Sequence, residues 1–390
     1  MTMTKFNMKQ TETPLILLIL ALGTGLFAGS MGVYFVPVQI GALIDGLGFS
    51  ASQTGLLGAV EVGAMSITAI VISSKLDRWS RAKTAMCGAI LAAVCEVLTG
   101  FVDTLIILFP LRIFVGIGCG LVFGSICAAA ASTDNPDRNF GWAQAVMNLL
   151  FMLLFILLPY TLNLELHRGL FVSLGIILLL TTPFYRSLPD SNTEMASQES
   201  SESKANTALI AMLIIATVLL NIGLGALWGF VERIGSDNVG LSSEMIGKVL
   251  SMATLFMIGG SLFAAWLGVR IGRAIPMATA SVICAVAAVL VTNADTLMIY
   301  AGGLFLYNAA YLFLGPYIIA GSASALDPSG RLASAMGGIM FFSYSVGIGT
   351  GGFIADIISL AGIGLLALFT CLIAAPLFAI VSMRLESQSS

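Results

Sequence analysis

The sequence predicts an all-α integral membrane protein of about twelve transmembrane helices, arranged as two parallel-repeat six-helix bundles around a central cavity. Three observations predict it. The chain is 58% hydrophobic and 9% charged, with a mean hydropathy of +1.00, so a water-soluble globule of this size has no room to hide its apolar side chains. The apolar residues come in continuous runs, as lipid-spanning helices require, and not in the alternation of barrel strands. Finally, two segments repeat each other without a gap at an offset of 192 residues, the separation of Gly48 from Gly240.

The repeat extends well beyond small and apolar residues. Gly48, Ser50 and Gly55 recur as Gly240, Ser242 and Gly247; Arg78, Arg81 and Ala82 recur as Arg270, Arg273 and Ala274; Asp103-Thr104-Leu105 recurs as Asp295-Thr296-Leu297. Paired arginines and a paired Asp-Thr-Leu at one fixed offset are hard to obtain from membrane composition alone.

Hydrocarbon about 30 Å thick asks for roughly 20 apolar residues per crossing. In those units the first half spans Pro14 to Leu43, Ser52 to Ile72, Thr84 to Phe101, Leu105 to Ala130, Gly141 to Leu162 and Gly169 to Tyr185. The second half spans Ala208 to Val231, Ser243 to Val269, Ile275 to Val291, Thr296 to Ala320, Arg331 to Ile354 and Leu360 to Val381. The first run is too long for the h-region of a signal peptide. Between the halves, Ser187 to Thr207 reads SLPDSNTEMASQESSESKANT, polar and without an apolar run to offset the entropy of ordering. It is expected to be a linker. The expected organisation is an N-terminal tail (1–13), a bundle (14–186), the linker (187–207), a second bundle (208–383) and a C-terminal tail (384–390).

With both termini in the cytoplasm, every Lys and Arg falls on the inner side except Arg112, Arg168, Arg233 and Lys248, a strong positive-inside bias. A net charge of -3 gives no support to nucleic-acid binding. All six cysteines, Cys87, Cys95, Cys119, Cys127, Cys284 and Cys371, fall in spans and read as small apolar packing residues, with no metal site and no cofactor expected.

Two six-helix halves, a central linker and a basic loop after the second helix of each half resemble the major facilitator superfamily over essentially the whole chain. In that family the loop carries Gly-x-x-x-Asp-Arg-x-Gly-Arg followed by a further cation. Here Ser73, Asp77, Arg78, Ser80 and Arg81 stand at those places, with Lys83 one residue late and serine replacing both glycines. The second half keeps Arg270, Gly272 and Arg273, with Val269 where the acid would be. The resemblance implies a cytoplasmic gate made of Asp77, Arg78, Arg81, Arg270 and Arg273, latched by charge-assisted hydrogen bonds and helix dipoles; the plainer alternative is that these cations only fix topology. Arg112 with Gly116, Gly118 and Gly120 is similar to the family's Arg-x-x-x-Gly-x-Gly pattern, in which small residues admit close helix contact.

Arg112 lies roughly 12 Å deep at 1.5 Å per residue, and an intramembrane cation needs a partner. Glu61 lies at a similar depth, roughly 15 Å. Glu96 in the third span is the other candidate, nearer the outer face, although the resemblance implies a peripheral third helix. Desolvation favours a neutral carboxyl and a nearby guanidinium an ionised one, so such an acid can change protonation as access alternates. Glu61 is expected to carry a proton that Arg112 tunes or competes for; the alternative is a static ion pair. Tyr34, Asn148, Asn221, Trp228, Tyr307, Asn308, Tyr311 and Tyr344 are polar handles on apolar helices, cavity-lining or bonded helix to helix. Glu232 and Arg233 end the seventh span as an outer gate or as a solvated helix terminus.

An enzyme is not expected. The single histidine, His167, falls in an outer loop beside Arg168, leaving no material for a histidine relay or metal site in the membrane, and no phosphate-binding glycine loop is present. The expected function is secondary active transport of a small organic solute, proton-coupled through a buried carboxylate. A facilitator without proton coupling and a non-transporting sensor on the same fold are the alternatives. An aromatic cavity with one buried cation suits an organic anion or an amphipathic metabolite. The fifth span lacks the glycine series that the resemblance associates with drug exporters, which weakens multidrug efflux. The expected partners are that solute, protons and the lipid bilayer, in a monomer of a bacterial inner membrane.

Overall fold

The structure, a computed structural model, describes residues 15–76, 78–133, 135–189, 207–327 and 331–389. Among them, twelve helices are long and apolar enough to cross a membrane, which is how a chain without water satisfies its own backbone. In chain order the spans are Leu15–Leu47, Ala51–Ser73, Arg81–Thr99, Leu105–Ala131, Arg138–Thr161, His167–Ser187, Thr207–Val239, Ser243–Leu267, Ala274–Thr292, Leu297–Leu326, Ala335–Ile357 and Leu360–Ser387. Helical backbone runs unbroken from Pro136 to Thr181, so the expected loop between the fifth and sixth spans is itself helical. The chain nevertheless reverses there, because Val146 and Tyr185 both lie against residues 23–25 of the first span. His167 accordingly lies in helical backbone, at the start of the sixth span, and does not sit in a loop. The expected C-terminal tail also continues as helix, to Ser389. Residues 1–14 and 190–206, which hold the expected N-terminal tail and most of the linker, lie outside the described residues.

The duplication is visible in the backbone. Gly48 and Gly240 hold φ of 69° and 70°, a left-handed turn that glycine adopts without strain. Two residues on, Ser50 caps the second span at Gln53 N and Ser242 caps the eighth at Met245 N, each at 3.3 Å. The spans then pack in pairs that mirror each other: second on fourth and eighth on tenth, third on fourth and ninth on tenth, first on fifth and seventh on eleventh. Across the interface between the halves the second span meets the eleventh and the eighth meets the fifth, with Gly55 against Gly352 and Gly247 against Phe155 and Pro159.

One end of the molecule carries the loops with Arg78, Arg81, Arg270 and Arg273, here the basic face. The opposite end, the far face, is sealed between the halves. Arg233 Nη1 pairs with Asp45 Oδ1 at 2.7 Å, and the Asp356 carboxylate of the eleventh span accepts from Ala51 N (3.1 Å) and Ser52 N (2.8 Å) at the start of the second, an anion on a helix N-terminus.

Candidate functional site

Glycines build the first part of the site. On the fourth span, Gly116 and Gly120 lie against the backbone carbonyls of Glu61 and Met65 in the second, while Gly118 lies against Gly88 and Ala92 in the third. A side chain at any of the three would collide with backbone, so the Arg-x-x-x-Gly-x-Gly run draws three helices close enough for their charged residues to meet. Arg112, Glu61 and Glu96 are each 1% exposed. Arg112 Nη2 donates to Glu96 Oε2 and to Thr99 Oγ1, both at 2.7 Å, and Nη1 donates to Glu61 Oε2 at 3.1 Å and Glu96 Oε1 at 3.4 Å. Phe171 of the sixth span covers the guanidinium, 4.9 Å from ring centroid to Cζ. The arginine thus holds Glu96 with both nitrogens and Glu61 with one. Glu61 Oε1 has no hydrogen-bond partner and lies against Gly32 of the first span, where a Cβ would strike it.

Glu96, the other candidate partner, turns its side chain from the third span to the arginine. Thr99, missed in the sequence, lies one helical turn beyond Glu96 on the same face, and that spacing was the available signal. Phe171 carried none.

A cavity of about 650 Å³ lies between the halves, bounded toward the far face by Trp228, whose Nε1 donates to the Val33 carbonyl at 2.9 Å. From there the lining runs toward the basic face, to Phe140, Gln144, Ile319 and Gly337. Tyr34, Trp228, Tyr307, Asn308, Tyr311 and Tyr344 line it as expected. Asn221 stands behind the wall, accepting from Tyr311 Oη at 2.9 Å through Oδ1. Asn148 is also outside the lining, and its buried Oδ1 has no partner. The rings form a set: Trp228 stacks toward Tyr307, Tyr307 toward Tyr311, and Tyr311 toward Tyr344, at centroid separations of 6.1 to 6.2 Å, while Tyr34 stacks on Phe151 at 3.8 Å. Ser30, Gln144 and Ser261 add polar groups that sequence reasoning missed; Gln144, an amide one turn before Asn148 in the apolar fifth span, was the readable one. Past Pro316, the tenth span widens into a π-helical turn over Tyr317–Ala323 beside the cavity, a distortion common at functional sites.

Among the described residues, the lining holds no charged side chain. The expected aromatic cavity with a buried cation is therefore corrected: the cation lies behind the first span. Ser30, Val33 and Tyr34 face the cavity while Gly32, about 200° round the helix from Ser30 at 100° per residue, faces Glu61. The first span is the wall shared by the charged cluster and the cavity.

Arg81 Nη1 donates to Ser132 Oγ at 2.6 Å and to the Pro189 carbonyl at 3.4 Å. Ser80 caps the third span at Lys83 N, where the resemblance places a glycine. Arg270 stacks on Trp266 at 5.0 Å, Arg273 N donates to Glu386 Oε1 at 2.5 Å, and Arg78 is exposed. Asp77 lies outside the described residues.

Comparison with known proteins gives one family and one fold. A family model described as Major Facilitator Superfamily matches residues 20–352. No curated protein sequence matches the chain. Among solved structures, a POT family transporter in complex with 5-aminolevulinic acid superposes with a TM-score of 0.75 at 13% identity, covering 95% of this chain and 96% of that one. The nucleoside transporter NupG gives 0.72 at 14%, covering 97% and 99%. A bacterial homolog to the human lysosomal transporter Spinster, inward-facing and unoccupied, gives 0.72 at 13%, covering 96% and 97%.

Proposed function

Since the chain belongs to the Major Facilitator Superfamily and is a transporter rather than an enzyme, we propose that it moves a small uncharged or amphipathic organic solute by alternating access, coupled to a proton carried on Glu61. The observation that carries this reading is a charge count. Two carboxylates and one guanidinium share a volume closed to water, so the fully ionised cluster holds one negative charge in excess. Uncompensated charge inside a membrane is costly, and a single proton removes it. Glu61 is the residue to take it, because Glu96 is held by both arginine nitrogens and Glu61 by one.

Coupling to the solute runs through the first span. Gly32 lies on Glu61 and Ser30 and Tyr34 line the cavity, so a rotation that repacks one face displaces the other. The cavity supports the substrate class: ring faces for a planar or apolar portion, with Gln144, Asn308, Ser30 and Ser261 for a few oriented hydrogen bonds, and no fixed charge to select an ion. With the basic loops cytoplasmic, the sealed far face supports an inward-facing state.

The test is flux in proteoliposomes, using a solute found by thermal-shift screening of metabolite panels. Wild type accumulates solute under an imposed pH gradient. Glu61→Gln loses that accumulation yet retains counterflow of labelled solute. Gradient-driven accumulation that survives in Glu61→Gln refutes the role of Glu61.

A further inference from the structure

A second buried carboxylate stands apart from the cluster. Glu232 lies on the seventh span, about 10 Å from its far-face end at 1.5 Å per residue, in the seam between the halves. It is 6% exposed. It lies against Gly41 of the first span, so closely that a Cβ there would collide with the carboxylate. Its Oε2 has no hydrogen-bond partner, and the neighbouring cation is already engaged: Arg233 binds Asp45 through Nη1 and Asp237 through Nε, each at 2.7 Å. The titratable and charged groups around Glu232 are Asp45 from the first span, Arg233 and Asp237 from its own, and Tyr300 from the tenth. Tyr300 is also spoken for, its hydroxyl donating to the Val231 carbonyl at 2.7 Å. Asp356 of the eleventh span is bound to Ala51 and Ser52.

We propose that Glu232 is a second proton-binding site, built into the far-face seam, and that the proton bound there holds the seam shut. An ionised carboxylate packed on a glycine, without a cation of its own and between two other acids, opposes closure; the neutral acid fits. When the halves part at the far face, water reaches the side chain and its ionised form is solvated. Proton binding and closure are therefore linked, and raising the pH on that side shifts the population toward the open seam. This proton enters and leaves by the same face. It sets the gate without travelling with the solute, which separates it from the proton on Glu61. The inference rests on the alternating-access reading above, but its readout requires neither solute nor gradient.

The experiment measures the distance between spin labels at Thr104→Cys and Asp295→Cys, exposed far-face positions in opposite halves, on a Cys87→Ala background that removes the exposed native thiol, in lipid nanodiscs from about pH 5 to about pH 9. In the protein with Glu232 intact, the long-distance fraction is expected to rise several-fold with pH. Glu232→Gln, an isostere of the neutral acid, keeps the short distance throughout, whereas Glu61→Gln leaves the rise in place. Gly41→Ala, whose methyl obstructs closure, favours the long distance even at low pH. A pH-independent distance with Glu232 intact, or a pH response that persists unchanged in Glu232→Gln, overturns the site. Failure of solute counterflow with an intact distance response would instead refute the transport reading and leave the proton site standing.

Discussion

At the offset of 192, Glu61 of the first half corresponds to Ala253, Glu96 to Ala288 and Arg112 to Leu304, while Tyr307 and Tyr311 of the second half correspond to Val115 and Cys119. The turns, caps and interface glycines recur; the chemistry does not. Ala288 and Leu304 are wholly buried and Ala253 is nearly so, which shows that this three-helix contact packs with apolar residues alone. The first half's ion cluster is therefore not needed to build the fold. A buried ion pair is in general poor evidence for stability, and here the second half supplies the apolar counterpart within the same molecule. One half holds charge, the other lines the cavity with rings, and the first span lies between them.

The comparison can be broken most severely at Arg112. Replacing it with the second half's residue, Arg112→Leu, strands two carboxylates without a cation, and a loss of about 3–5 kcal/mol is expected, read as a lower melting temperature in detergent. The full exchange, Arg112→Leu with Glu61→Ala and Glu96→Ala, is expected to recover most of that loss while remaining uncoupled from protons. If the triple variant melts as low as the single one, the halves are not interchangeable in packing.

The pseudo-twofold seam offers a second, intermediate test. Gly55→Val and Gly247→Val each push a side chain into the backbone of the opposing half, at Gly352 and Phe155 respectively. Both are expected to open the far face to a similar extent, measured by the same pair of spin labels. A large effect from one and none from the other would show that closure is not shared between the paired contacts.

The smallest effect is expected in the ring set. Tyr311→Phe removes the hydrogen bond to Asn221 and keeps the ring, so solute binding is expected to weaken by about 1 kcal/mol, somewhat under tenfold, by titration calorimetry with the screened solute. Trp228→Ala, which removes a whole ring from the lining, should exceed it; the reverse order would move the solute away from the rings.

Much of this was legible in the sequence because membrane folding is governed by length, polarity and small residues. The spans followed from apolar runs, and the paired turns followed from Gly48 and Gly240 with their serines. The partnership of Glu61 with Arg112 followed from matched depth alone. The inward turn of Glu96 did not, because a peripheral helix still has one buried face and depth cannot say which residues occupy it. Likewise, depth placed Arg112 in the membrane but not on which side of the first span it lay, and so a cation was assigned to a cavity that lacks one. Glu232 read equally well as a gate or a solvated helix end, since only the position of Gly41 on another helix decides between them. Rotation of a helix about its axis is set by its neighbours, and that is the information a single sequence carries least.

The central claim is that the odd charge of the Arg112 cluster is neutralised by one exchangeable proton on Glu61. The most direct measurement is the proton movement that accompanies solute entry, followed with a pH-sensitive dye inside proteoliposomes in the absence of any imposed gradient. The account predicts one proton per solute in wild type and none in Glu61→Gln, with solute exchange preserved in both. Solute entry that moves no proton in wild type, or undiminished proton movement in Glu61→Gln, would contradict it.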